Sequence, residues 1–370
     1  MANTVKKHKE PWIHIAKRDD ISKGKAWLIR LAAILLGLLV VGIISSVLIG
    51  VGFGKVYNIM FTGVFGRLLE GKVTLLWRFL QQTAILLCLA LAVTPAFRMR
   101  FWNCGAEGQA LIGGLAAMVC MIEIGNAVPN AVLVLIVLVC SILAGAVWGM
   151  IPALFHAKYK TNETLFTLMM NYVATQIVAY YVYVTGSGSG IIQPVSTGNL
   201  PVLLGQKYLL NILVVALLMT AMYIYLKYSK HGYEIIVVGE SRNTARYIGI
   251  NVKKVIIRTM IISGAVCGIA GMLLVSGTDH SINTNTIGGQ GFTAIMVSWL
   301  GQFNPFIMAG MAGLVTFLET GAAKVADTFF LNSSYADIMS GIVILFLVGC
   351  EFFIQYTVKF RHAKKGGTSV

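Results

Sequence analysis

Residues 129–154 read Pro129-Asn-Ala-Val-Leu-Val-Leu-Ile-Val-Leu-Val-Cys140-Ser-Ile-Leu-Ala-Gly-Ala-Val-Trp148-Gly-Met-Ile-Pro152-Ala-Leu154, without one charged side chain. At about 1.5 Å of helical rise per residue this run reaches roughly 39 Å, enough to cross the ~30 Å hydrocarbon core of a bilayer. Similar runs lie at 27–51, 75–97, 107–125, 164–185, 208–226, 255–276, 304–322 and 338–358, with a shorter one at 291–302. The short run covers only ~18 Å, so it reads as a half-helix held among other helices, where irregular backbone is tolerated. Counted as one traverse, it brings the total to about ten. Residues 52–74 form a glycine-spotted connector with an interfacial helix expected around 57–65. The fold class is all-α and polytopic.

Composition agrees. Of 370 residues, 57% are hydrophobic and 12% charged, with a mean hydropathy of +0.79. That is about half the charge of an average soluble domain, which excludes a soluble enzyme, a disordered chain and a disulfide-stapled secreted domain. The 29 Lys and Arg against 14 Asp and Glu would suggest a nucleic-acid partner on a soluble protein. In a membrane protein, basic residues collect in cytoplasmic loops and set orientation. With the N-terminus in the cytoplasm, only Lys55, Arg67, Lys72, Arg78, Lys207 and Lys324 fall on the far side. Both termini are therefore expected in the cytoplasm. The chain divides into a basic tail (1–26), a transmembrane domain (27–358) with its longest cytoplasmic loop at 227–254, and a short C-terminal tail (359–370).

Gly105-Ala-Glu107-Gly108-Gln-Ala-Leu-Ile112 is echoed by Gly288-Gly-Gln290-Gly291-Phe-Thr-Ala-Ile295. Each segment follows a spanning run, and the two enter the membrane from opposite sides. That is the pattern of an inverted repeat, a common transporter plan. The six cysteines form no Cys-x-x-Cys pair and the histidines are scattered, so no metal site is expected. The glycine-rich phosphate-loop pattern does not occur in the chain, which therefore has no nucleotide site of that kind.

The loop at 227–254 contains Gly232-Tyr-Glu234, Gly239-Glu240, Arg242, Ala245-Arg246-Tyr247 and Gly249-Ile-Asn251. Ser241 is positioned to cap a short helix over 243–247 that Gly249 ends. A compact, basic, amphipathic element of this kind suits docking into a groove on a soluble partner, and an ordinary basic loop is the plainer alternative. These residues closely resemble the coupling loop of ABC-importer permeases of the branched-chain amino acid, simple sugar and nucleoside group. Asn103-Cys-Gly105-Ala-Glu107-Gly108-Gln109, Asn162-Glu163, Leu168-Met-Met-Asn171-Tyr172 and Gly291-Phe292 resemble its nucleoside-type branch. The likeness runs from about residue 66 to residue 353, and the chain departs from the pattern at Cys104, Thr293 and the Gly/Ser-rich 186–190.

The resemblance implies a permease subunit of an ATP-driven importer for a nucleoside or simple sugar, in the bacterial plasma membrane. It is a transport subunit and not an enzyme. Its partners would be an ABC ATPase, a second permease subunit (a paralogue or itself), an extracytoplasmic substrate-binding protein and the lipid bilayer, with no nucleic acid. No cofactor is expected on this chain, since ATP and Mg would sit on the ATPase. Gly239, Glu240, Arg242, Ala245 and Arg246 are expected to form the ATPase contact. Asn103, Glu107, Gln109, Asn171, Gln290 and Phe292 are candidates for a translocation pathway between the repeat halves, where the two helix starts would aim unpaired N–H groups at polar cargo. Glu107 reads equally as a pathway carboxylate or a helix cap. An ion-coupled secondary transporter is the alternative, and the near absence of mid-membrane Asp and His counts against it. A membrane prenyltransferase would need clustered Asp, but the one Asp pair, Asp19-Asp20, lies in the basic tail.

Overall fold

Gly145 and Gly149 in α5 (Asn130–Tyr159) meet Gly264 and Gly268 in α10 (Val252–Leu274), and this seam organises the larger part of the protein. A methyl group added at Gly145 would lie 2.2 Å from the Gly264 carbonyl oxygen, and one at Gly268 would lie 2.1 Å from that of Ser141. On its other side α10 meets α4 (Ala106–Glu123), where a methyl at Gly271 would sit 2.0 Å from the Ala110 carbonyl oxygen. Water-free helix association rests on such close backbone approach, because lipid offers no hydrophobic drive between helices.

The computed structural model describes residues 13–18, 21–66, 73–186, 190–332 and 334–360. Most of the basic tail, Arg67, Lys72, Ser187 to Ser189 and the end of the chain after Phe360 lie outside them. Two compact units are present, one of residues 62–317 and one of 1–61 with 318–370.

In the first unit, α3 (Thr74–Arg98), α4 and α10 are the most enclosed helices. Around them stand α5, α6 (Glu163–Thr185) and α7 (Leu209–Tyr228). On α5, Leu133, Val137 and Ser141 are buried, while Leu135, Val139, Leu143 and Val147 are exposed. Both stripes recur every four residues, one for protein and one for lipid. A π-helical turn, Val275–Asp279, ends α10. The half-helix is α11, Gln290–Leu300, of 11 residues.

The connecting segments gather into two groups. At one end, the loop before α7 pairs with the segment after α10, with Ile192 N donating to Ile282 O (3.2 Å) and Val195 N to His280 O (2.8 Å). Elsewhere, Phe101, Ala153, Ile235, Ala245 and Val252 form one buried cluster that gathers the end of α3, Ala153 of α5 and the stretch from Leu226 to Met260.

The second unit pairs α1 (Lys23–Ile49) with α13 (Ser334–Gln355). Gly37 packs against Val343, and Tyr335 donates to Ser45 Oγ at 2.6 Å. Arg30 lies inside α1, 4% exposed, and pairs with Glu351 at 2.8 Å. A buried cation in a spanning helix needs such a partner. The helix expected around 57–65 is α2, Phe53–Phe65, and α12 covers Pro305–Thr328.

A short ribbon was not expected: β1 (Ile13–Lys17) pairs antiparallel with β2 (Tyr356–Phe360). It places both described ends of the chain together, beside the start of α1 and the end of α13. Nine helices among the described residues are long and apolar enough to span.

Candidate functional site

Two short helices fill the stretch read as a coupling loop: α8, Lys230–Glu240, and α9, Arg242–Tyr247. Ser229 and Ser241 cap them, accepting from Gly232 N at 3.0 Å and Thr244 N at 3.2 Å. Asn251 caps α10 in the same way, accepting from Lys254 N at 3.2 Å. Three caps within some twenty residues fix three chain directions. Gly249, at φ +83°, makes the turn between α9 and α10 in a conformation that favours glycine. The expected short helix with its Ser241 cap is present, and α8 is an element the sequence reading left as loop.

The five residues expected to form a contact divide into two groups. Ala245 is fully buried among Phe101, Ile235 and Val252. Gly239 lies against the end of α3, where a methyl would be 2.3 Å from the Arg98 carbonyl oxygen. These two form the joint on which the element is mounted. Glu240, Arg242 and Arg246 are exposed. Beside them stand Tyr247 and Ile248, 95% and 53% exposed. An aromatic and a branched aliphatic left in solvent next to two arginines make a surface with the composition of a protein contact.

Polar contacts brace this element. Arg258 of α10 donates to Glu234 of α8 at 2.8 Å, which holds the Glu234 carboxyl below its ordinary range. His156 of α5 lies 3.4 Å from Arg242 through Nε2, and its Nδ1 is 2.8 Å from Thr161 O and 3.2 Å from Glu163 Oε2. One tautomer serves all three: Nδ1–H donates to the oxygens, and Nε2 accepts from the guanidinium.

At the start of α4, the polar side chains pair with one another and with backbone. Asn103 donates to Ser263 Oγ (3.0 Å) and accepts from Gln109 Nε2 (3.1 Å) and Gly105 N (3.1 Å). Asn171 of α6 accepts from Gly108 N at 2.9 Å and donates to Cys104 O at 2.9 Å. Glu107 spans the crossing between α4 and α11. Its two carboxylate oxygens accept from Gly289 N and Gly291 N, each at 2.8 Å. It is therefore a cap, but of α11 and not of its own helix. The close approach requires Gly291, since a methyl there would lie 2.6 Å from Glu107 N.

At these helix starts Gly105 N, Gly108 N, Gly289 N and Gly291 N are bonded within the protein. Of the six pathway candidates, Asn103, Gln109 and Asn171 are buried and paired, and Glu107 is held by α11. Phe292 is 45% exposed, on one face with Trp299. The Gln290 amide oxygen is buried and has no hydrogen-bond partner among the described residues. The sequence reading missed Ser263, Thr167 and His156. Single Ser, Thr or His residues in apolar runs carry no signal until a neighbouring helix is known.

Residues 75–348 match the family described as the permease component of branched-chain amino acid transport systems. The guanosine ABC transporter permease of Bacillus subtilis is 29% identical over 91% of this chain and 96% of its own length. The glucose ABC transporter permease of Haloferax volcanii is 28% identical over 92% and 93%. A nucleoside ABC transporter permease of Lactococcus lactis is 24% identical over 90% and 93%. With nine apolar spans among its described residues, a capped half-helix and a braced two-helix elbow, matched over three quarters of its length, this chain belongs to the branched-chain amino acid type family of ABC transport permease components, multi-pass proteins of the cell membrane.

Proposed function

We propose that the chain is the membrane subunit of an ATP-driven importer for a nucleoside or simple sugar, and that it meets its ATPase through the exposed face of α8 and α9. The observation that carries this reading is the division at the elbow. Ala245 and Gly239 fix it to α3 and α10, while Arg242, Arg246 and Tyr247 stay in solvent. An element so firmly mounted transmits a push at its outer face to α10, the helix at the centre of its unit. Both termini are then cytoplasmic, as the basic residues near the elbow require. ATP and Mg belong to the ATPase, a second permease (itself or a paralogue) completes the membrane part, and an external binding protein delivers cargo.

The cargo assignment follows the named activities of the relatives and the scarcity of charge along the chain. A neutral polar solute brings no ion to desolvate, so it needs no charged pocket. Phe292 supplies a stacking face for a base or sugar ring, and Gln290 an unpaired acceptor; Asn103, Glu107, Gln109 and Asn171 hold the frame behind them. Uptake of radiolabelled guanosine and glucose into proteoliposomes containing the permease, ATPase and binding protein tests this reading. ATP-dependent uptake of one of them, reduced in Phe292→Ala with assembly intact, is expected. Uptake driven by a proton or sodium gradient without the ATPase would overturn it.

A further inference from the structure

Beside α9 lies a cavity of about 440 Å³, and its lining is strongly basic: Lys160, Arg242, Arg246 and Lys253. The one carboxylate in the lining, Glu163, is engaged by His156 at 3.2 Å. The first turns of α6 and α10 border the same space through Thr164 and Val252, so two positive helix ends add to the field. Thr161 lines it too, and its hydroxyl is buried without a hydrogen-bond partner among the described residues. These features call for an anion with several acceptor oxygens.

A second cavity, of about 370 Å³, shares Ala157 and Lys253 with the first. Its walls are Leu154, Phe155, Tyr159 and Ile257, with Lys158 at the rim. Leu154 and Phe155 are 42% and 44% exposed, on the last turns of a helix whose outer stripe is apolar throughout. The two cavities adjoin, one cationic and one apolar, at the end of the α5–α10 pair.

We infer that this pair of cavities binds an anionic phospholipid, with the phosphate among Lys160, Lys253 and the two arginines and an acyl chain along Leu154, Phe155 and Ile257. Basic pockets between spanning helices recognise such headgroups. The apolar half is what favours a lipid over an acidic segment of a soluble protein. The site shares Arg242 and Arg246 with the surface proposed above for the ATPase, but its test requires neither an ATPase nor a cargo. A lipid seated there would touch Arg242 and Arg246, and so adjust the surface that α9 presents.

The full chain, purified alone, is to be reconstituted in nanodiscs of phosphatidylcholine with and without phosphatidylglycerol, and bound lipid counted by native mass spectrometry. Wild-type protein should retain phosphatidylglycerol selectively and melt at a higher temperature in its presence. In Lys160→Gln and Lys253→Gln that retention should fall about fivefold for each lysine removed. A Leu154→Asn/Phe155→Ser variant should lose the lipid while keeping the cationic cavity. Equal retention by wild type and the lysine variants would overturn the site. So would equal protection by soluble glycerol phosphate, which would make it a free-anion site. Lysine variants that keep the lipid but lose ATPase co-purification would make it a protein contact.

Discussion

The crossing of α4 with α11 and the elbow of α8 with α9 use the same materials and reach opposite results. Each has helix caps, a glycine where backbone approaches backbone, and charged residues. At the crossing, Asn103, Gln109 and Asn171 are bonded within the protein, and Glu107 ties the two helix starts together. At the elbow, the caps and the Gly239–Arg98 contact mount the two helices, Arg242 touches His156, and the arginines otherwise remain outside. A charge kept in the membrane needs a partner at once, because no water is there to solvate it. A charge at the aqueous end can wait for one.

The largest effect should come from Glu107→Ala. It removes both acceptors from Gly289 N and Gly291 N, and hydrogen bonds to an ionised group are worth about 1.5–3 kcal/mol each, so a loss of roughly 3 kcal/mol or more is expected. The melting temperature of the purified protein checks it, with Glu107→Gln falling between. A wild-type melting curve for Glu107→Ala would mean the carboxylate serves cargo and not the frame. Next is Ala245→Phe, which overpacks the joint by about 1–3 kcal/mol. It should increase protease cleavage within 229–251 while the membrane helices stay folded. Ser241→Ala removes one cap, about 1 kcal/mol, and should show a smaller increase at the same sites. Unchanged cleavage in both would show that the elbow does not depend on its mount.

Much of this contrast was legible in the sequence, and the limits follow from physics. Charge-free runs announce spanning helices, so α5 and α11 could be placed by length. Inward faces could not, because a lipid-facing stripe and a protein-facing stripe are both apolar; on α5 only Ser141, Gly145 and Gly149 mark the inner side. Glu107 was legible as a cap but not as the cap of a helix some 180 residues away. That bond depends on two helix starts meeting, which no local pattern reports. α8 was hidden by Gly232 and Gly239, residues that weaken helices in isolation and are here required by the Leu226 and Arg98 carbonyls pressed against them. The β1–β2 ribbon joins residues more than 300 positions apart and leaves no periodic signal in either tail.

The central claim is that the outer face of the elbow, where Arg246 and Tyr247 stand exposed, serves a partner subunit. The double variant Arg246→Glu/Tyr247→Ala tests it most directly, with melting temperature and ATPase co-purification measured on the same preparation. Surface substitutions away from packed contacts usually change stability by about 0.5 kcal/mol or less, so the melting temperature should hold while the ATPase is lost and ATP-driven uptake stops. Retention of the ATPase with normal cargo-stimulated hydrolysis would contradict the account.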